Sequence, residues 1–263
     1  MNLWSREILR PHAGVDERQM NADRERYRRD FEALGACPPD HSVTKALAFI
    51  PPESSVLEFG CNTGFVSKLL VARGCTVIGV ELDRWAADQA RESCQEVVVG
   101  DVSTMDLREA LKDRKFDVAL FGDVIEHIAD PQPVLEGVKG LLRANGFIVI
   151  SVPNIAHWSV RLGLLQGKFE YGPTGILDET HLRHYTLKSL QDLLHRSGYD
   201  AVGIDGVRQR FTKRIARGCL RGIPFWGRRY LYSVLSQDDA AIFQYIVKAR
   251  PSRSLSAPTG ERA

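Results

Sequence analysis

The chain has 263 residues, 44% of them hydrophobic and 26% charged, and its formal net charge is +2. These values are ordinary for a one-domain α/β protein with additions, and they exclude wholesale disorder and low-complexity fibres. Because no apolar run approaches the roughly 18 residues of a membrane span and the first residues lack the apolar core of a signal peptide, we expect a cytoplasmic protein.

From residue 46, short apolar runs alternate with segments of helical periodicity. The first 45 residues mix both charge signs and predict a helical cap or lid, in which Tyr27 and Arg29 could reach a ligand. Strands are predicted at 56–60, 76–80, 97–99, 116–121, 147–152, 201–204 and 241–247. Helices are predicted at 65–72, 84–94, 133–143 and 187–196. Residues 251–263 are small and polar and predict a disordered tail.

This alternation predicts a Rossmann-like α/β fold, with a mostly parallel seven-stranded sheet and helices on both faces. The main domain is expected at 46–250, with a basic insertion at 207–236 before the last strand. Ligands of such sheets bind beyond the carboxyl ends of the strands. The residues that follow each predicted strand are therefore the candidates for a binding site.

Three acids lie at successive strand ends, around a glycine loop at Gly60–Gly64. Glu58 beside that loop would repel a pyrophosphate but suits a ligand with an ammonium group. Glu81 can accept both ribose hydroxyls, and Asp101 can accept from an adenine amino group. Together they predict a pocket for S-adenosylmethionine (SAM), a cationic adenosyl ligand with an amino-acid end.

The segments VLEFGCNTGFVS, VIGVELD, VVVGDV and FDVALFGDVIEHIADP resemble the successive motifs of class I SAM-dependent methyltransferases, closest to the group of the ubiquinone-biosynthesis O-methyltransferases. The resemblance implies that the loop holds the methionyl end, Glu81 the ribose and Asp101 the adenine. Asn62 replaces the usual middle glycine, and asparagine also tolerates left-handed backbone angles. The predicted cofactor residues are Glu58, Gly60, Cys61, Asn62, Gly64, Glu81, Leu82, Asp101, Val102 and Gly122.

The fourth strand ends in D-x-x-E-H, formed by Asp123, Glu126 and His127. In a helical turn that begins at Asp123, all three side chains would share one face. Three interpretations remain open: a helix N-terminus with favourable acids, a lone His127 general base tuned by Glu126, and a divalent metal site.

A later segment supplies a further histidine, His181, within DETHLRHYT. This pattern resembles that of the small-RNA 3′-end 2′-O-methyltransferases, in which a metal activates a ribose hydroxyl; here Asp123 stands where a glutamate is usual. The resemblance implies a tentative metal set of Asp123, Glu126, His127 and His181, which are also the predicted catalytic residues. Two acids with two histidines suit Mn, Fe or Zn better than Mg.

The methyl acceptor is predicted to be the oxygen of a small molecule, sugar or glycan, because the N-D-P-P-Y segment of amino-methylating enzymes is missing after the fourth strand. Substrate contacts are predicted at His157, Trp158, Arg183 and His184. The alternatives are methylation of an RNA terminus, N- or C-methylation of a metabolite, and a SAM-binding module without catalysis. A nicotinamide dehydrogenase is disfavoured by Glu58.

The stretch between Asp205 and Asp238 carries eight basic residues without an acid. Phe211, Ile215, Cys219 and Ile223 recur in it every four residues, which predicts a basic amphipathic helix. It could pack on the core, contact a membrane surface through residues 207–230, or bind RNA phosphates. The five cysteines are an odd number without a C-x-x-C pair, so we expect neither a disulfide framework nor a cysteine zinc site.

Overall fold

The computed structural model describes residues 38–212, 215 and 224–252. Seven strands form one sheet that helices cover on both faces. The strands are β1 Ser55–Phe59, β2 Thr76–Glu81, β3 Glu96–Val99, β4 Phe116–Gly122, β5 Leu142–Pro153, β6 Tyr199–Arg208 and β7 Ile242–Pro251. The helices are α1 Ser42–Phe49, α2 Phe65–Val71, α3 Arg84–Ala90, α4 Leu107–Ala110, α5 Pro131–Lys139, α6 Trp158–Leu165, α7 Leu187–Arg196 and α8 Phe225–Leu235, with short 3₁₀ turns at Ile125–His127 and Asp239–Ala241.

The strand order is β3-β2-β1-β4-β5-β7-β6, which confirms the predicted fold class. Only β7 runs against its neighbours β5 and β6. In the middle of the sheet, Leu57 of β1 lies opposite Ile78 of β2 on one side and Ala119 of β4 on the other. The chain winds outward from β1 to β3 and then returns to β4. The boundary between β1 and β4 is therefore the switch point, where a crevice opens beyond the carboxyl ends of the strands.

The side chains of β1 alternate between two buried cores, one on each face of the sheet. Leu57 and Phe59 point to the face covered by α4, α5 and α7, where Phe59 stacks on Phe121 with ring centroids 4.4 Å apart. Val56 points to the face covered by α1, α2 and α3. The same alternation places Glu58 on the face of Val56, under α2.

Two predicted helix ends are wrong, the first because strand pairing overrides the helical pattern of the sequence. Residues 133–143 were expected in one helix, but α5 ends at Lys139 and β5 begins at Leu142, where Leu142 pairs with Phe116. A register shift between Phe116 and Val118 then brings Phe147 opposite Val118. The predicted helix at 84–94 ends at Ala90.

At its N-terminal end, the compact unit begins at Pro39, whereas the predicted domain begins at residue 46. Helix α1 crosses the predicted boundary and lies against β5, β6 and β7. Residues 1–37, with Tyr27, Arg29 and most of the predicted cap, lie outside the described residues, as does the predicted tail from residue 253 on.

The basic insertion is not one helix from residue 207 on. Val207 and Arg208 belong to β6, and buried Phe211 packs with Leu235 of α8 in a small third cluster. Residues 213, 214 and 216–223, with Cys219 and Ile223, lie outside the described residues. None of the helices in the described ranges is long and apolar enough to cross a membrane.

Candidate active site

The glycine loop joins β1 to α2 through left-handed backbone. Gly60, Asn62 and Gly64 have φ of +63°, +47° and +83°, so the asparagine adopts the conformation that the sequence predicts for it. A side chain at Gly64 would also meet the Cα of Ala90 at 3.0 Å. Helix α2 begins at Phe65, so the positive end of its dipole lies next to the loop and favours a negatively charged group there.

Glu58 is buried under this loop. It is 3% exposed, and its Oε2 accepts a hydrogen bond of 2.6 Å from the hydroxyl of Ser67 on α2. Burial raises the pKa of Glu58 to about 8. The carboxyl thus contacts a helix residue in the core, and a contact of Glu58 with the cofactor stays a prediction. The Cys61 side chain is likewise buried, against Gly79, which leaves only its backbone at the loop.

Glu81 at the end of β2 and Asp101 after β3 accept hydrogen bonds from backbone N–H groups. Glu81 accepts from the N–H of Asn62 at 2.8 Å and from that of Asp83 at 2.9 Å, which ties the end of β2 to the glycine loop. Asp101 accepts from the N–H of Ser103 at 2.8 Å. Three further predicted cofactor residues lie at the ends of β2, β3 and β4: Leu82 and Gly122 are exposed and Val102 is partly buried.

The D-x-x-E-H segment does not form the predicted helical face. Asp123 has a φ of +54° and lies outside the 3₁₀ turn of Ile125–His127. Its carboxylate accepts hydrogen bonds from the Ser151 hydroxyl on β5 and the Gln244 amide on β7. The prediction that Asp123 shares one face with Glu126 and His127 is wrong, because these two distant strands hold its side chain.

Three of the four predicted metal ligands do converge. Glu126, His127 and His181 each offer a ligand atom, and these atoms lie within 4.8 Å of one another. We call these three residues the acid–imidazole set. The rings of its two histidines meet edge to face, with centroids 4.9 Å apart. Asp123 is not a member of the set.

Hydrogen bonds to backbone carbonyls orient both imidazoles. His127 Nδ1 lies 3.2 Å from the carbonyl oxygen of Thr180, and His181 Nδ1 lies 3.2 Å from that of Ile176. A carbonyl can only accept, so each Nδ1 carries the proton and each Nε2 keeps its lone pair free. Metal-binding histidines are typically fixed in this way. Neither carbonyl can be recognised from the sequence.

Glu126 is the most constrained member of the set. It is 1% exposed, and neither carboxylate oxygen has a hydrogen-bond partner in the part of the chain that the structure describes. Burial, and next the nearby Asp123, raise the pKa of Glu126 well above its ordinary value. Burial and His181 lower the pKa of His127, so the set is built from groups that a cation would stabilise in their ligand forms.

A segment before α7, residues 178–185, brings His181 to this place. The N–H groups of Leu182 and Arg183 donate to the carbonyl of Glu126 at 2.8 and 3.0 Å. The rings of His181 and His184 have centroids 6.2 Å apart, and the ring of Tyr171 lies beside that of His184. We call residues 178–185 the imidazole arm.

Two of the predicted substrate residues, His157 and Trp158, make structural contacts. His157 is fully buried and caps α6, and its ring nitrogens contact the Ser159 hydroxyl and the carbonyl of Gln209. Trp158 donates to the same carbonyl and packs on Phe211. Both side chains thus anchor the chain after β6. The predicted substrate contact is wrong for His157, which is fully buried, and stays a prediction for Trp158, which is partly exposed.

Comparisons with known proteins identify the family of the chain. A family model described as "Methyltransferase domain" matches residues 25–203. The ubiquinone biosynthesis O-methyltransferase of Histophilus somni is 29% identical over 109 residues, 39% of this chain and 46% of that protein. The enzyme of the same name from Cereibacter sphaeroides is 27% identical over 160 residues, 58% of this chain and 62% of that protein. The chain thus matches less than two thirds of the length of these relatives.

A solved structure shows the same fold at low identity. The 1,6-didemethyltoxoflavin-N1-methyltransferase of Burkholderia thailandensis, with bound 1,6-didemethyltoxoflavin and S-adenosylhomocysteine, has a TM-score of 0.54 and 19% identity, over 90% of this chain and 87% of that chain. Because the family model matches more than half of the chain, the protein belongs to the methyltransferase domain family and has the fold of the SAM-dependent methyltransferases.

Proposed function

We propose that the protein is an enzyme that transfers the methyl group of SAM to a hydroxyl group of a small molecule, sugar or glycan. The observation that carries the proposal is the buried, unpartnered carboxylate of Glu126 beside two imidazoles with free Nε2 atoms. A buried carboxylate without a partner is costly. A divalent cation would remove that cost, and the donor set fits one.

In this proposal, Glu126, His127 and His181 hold the cation at the acceptor site. One carboxylate and two imidazoles favour Mn, Fe or Zn over Mg. When bound, such a cation lowers the pKa of a hydroxyl that it contacts. The imidazole arm keeps His181 in place, and the carbonyls of Thr180 and Ile176 fix the two ring orientations.

We assign the parts of SAM to residues at or after the ends of successive strands. The Gly60–Gly64 loop would hold the methionyl end, Glu81 the ribose and Asp101 the adenine, as the family resemblance implies. Methyl transfer from a sulfonium is an in-line displacement, so the protein has mainly to align the two reactants and exclude water. The relatives named for O-methylation support an oxygen acceptor, although the N1-methyltransferase shows that this fold also serves nitrogen.

The test is methyl transfer together with metal binding. Mn(II) titrated calorimetrically into chelator-treated protein saturated with S-adenosylhomocysteine is expected to bind at one site with micromolar affinity. Labelled SAM should then label catechol in the presence of Mn(II) and should not label the matched amine, aniline. Labelling of aniline alone, or of the RNA fraction alone after phenol extraction of a cell extract, would contradict the proposal. Turnover without any metal binding would leave His127 as a lone base.

We also propose a peripheral contact with anionic lipid through α8. Trp226 and Tyr230 lie one turn apart on this helix and are 77% and 70% exposed, and the sequence around them is basic. Aromatic and basic side chains on one helix suit an anionic membrane surface. Replacing both aromatics with alanine is expected to lower partition onto phosphatidylglycerol vesicles about 10-fold, from the lost apolar burial. Co-sedimentation with the vesicles measures this partition, and Trp85→Ala on α3 is the control. If the double variant binds the vesicles as well as the wild-type protein does, the proposed contact is contradicted.

A further inference from the structure

A cavity lies at the end of the imidazole arm. It has a volume of about 180 Å³, enough for several water molecules or for one carboxylate or phosphate group. It lies between the start of α5, the end of the arm and one side of α7. Its lining residues are Asp130, Pro131, Gln132, Arg183, His184, Tyr185, Ser189, Leu193 and Arg196.

The cavity holds two guanidinium groups that the described residues leave largely unused. Among the described residues, the guanidinium of Arg183 donates only from Nε, to the carbonyl of Ala129 at 2.6 Å. Arg196 has neither a hydrogen bond nor an ion pair within the described ranges, and Asp130, the one acid of the lining, is not paired with either arginine. The lining thus carries two positive charges against one negative charge, and planar guanidinium groups bind oxyanions through paired N–H groups.

A buried tyrosine lies beside the cavity. Tyr185 is 5% exposed and lines the same cavity, and its hydroxyl oxygen has no hydrogen-bond partner among the described residues. Burial raises the pKa of Tyr185 to about 12, so the hydroxyl remains a donor. A buried hydroxyl without a partner is costly. The hydroxyl oxygen is not accessible from the cavity, so the two guanidinium groups are the donors that an oxyanion there would meet.

We infer that this cavity binds an oxyanion, a carboxylate or phosphate group, that the methyl acceptor itself carries. His184 links the two sites, because it lines the cavity and its ring lies 6.2 Å from that of His181 in the acid–imidazole set. An acceptor whose hydroxyl lies at the set would reach past His184 with its anionic substituent. The inference rests on the proposed hydroxyl methylation and adds the charge of the substrate to it.

The test compares matched acceptors. Catechol, 3,4-dihydroxybenzoate and 3,4-dihydroxyphenyl phosphate are titrated calorimetrically into the full chain saturated with S-adenosylhomocysteine and Mn(II). At least one of the two anionic compounds is expected to bind about 10-fold or more tightly than catechol, the size expected for charge-assisted hydrogen bonds. Arg196→Gln should remove this preference. Lys188→Gln, which removes a charge from the exposed side of the same helix, should keep it.

Three outcomes would overturn the inference. The first is equal affinity of the wild-type protein for all three compounds, and the second is a preference that persists in Arg196→Gln. The third is Arg196-dependent binding of inorganic phosphate alone, without preference for either anionic catechol, which would make the cavity a site for free phosphate. Methyl transfer is measured separately. A binding preference without turnover contradicts the proposed function and leaves the oxyanion site standing. Turnover without the preference contradicts the oxyanion site and leaves the proposed function standing.

Discussion

Replacing His181 with alanine, or Glu126 with glutamine, is expected to lower the rate of methyl transfer at least about 100-fold and to abolish binding of Mn(II). His181→Ala removes one ligand atom of the set and Glu126→Gln removes its negative charge; the three ligand atoms lie within 4.8 Å of one another. Glutamine has the shape of glutamate without its charge, so a loss of rate in Glu126→Gln is due to the missing charge and not to altered packing. Initial rates with labelled SAM measure the first effect, and calorimetry measures the second.

Affinity for S-adenosylhomocysteine is the internal control in these variants, because neither His181 nor Glu126 is among the predicted cofactor residues, so the cofactor product should bind unchanged. His195→Ala is the matched control, since this histidine is exposed on α7. Asp123→Asn is expected to retain Mn(II) binding, because Asp123 binds Ser151 and Gln244 and lies outside the set. Full activity in both His181→Ala and Glu126→Gln would refute the metal site.

The sequence predicts the sheet well because each strand has a local signal. Apolar runs, glycines at strand ends and acids after them recur at the spacing of βα units, and all seven predicted strands are present in the structure. The left-handed conformation of Asn62 was also predictable, since few side chains tolerate it. Glu58 was predictable in principle: two residues after buried Val56, strand alternation places it on the same covered face.

The errors at the site come from contacts between residues that are distant in sequence. The helical face expected at Asp123 fails because Ser151 and Gln244, 28 and 121 residues further on, hold its carboxylate. His157 resembles a functional histidine in the sequence, and only the carbonyl of Gln209, 52 residues away, shows that it is an anchor. His181 was identified through a resemblance, but the bonds from the arm to the Glu126 carbonyl have no local signal.

Replacing Gly64 with alanine is expected to lower the free energy of unfolding by about 2–5 kcal/mol and the affinity for S-adenosylhomocysteine about 10-fold. A left-handed φ of +83° costs a residue with a Cβ roughly 1–2 kcal/mol. The new Cβ would also lie 3.0 Å from the Cα of Ala90, which is backbone and yields little, and overpacking typically costs a further 1–3 kcal/mol. The resulting shift would move the loop that we propose for the methionyl end.

The chain offers a matched control that separates these two causes. Gly167 also has a left-handed φ, +72°, but nothing lies within 4 Å of an added Cβ. Gly167→Ala should therefore lose only about 1–2 kcal/mol and keep its affinity for S-adenosylhomocysteine. Urea unfolding and calorimetry measure the two quantities. Equal losses of stability would mean that α3 moves aside and that backbone conformation is the whole effect. Unchanged affinity in folded Gly64→Ala would contradict the proposed place of the methionyl end.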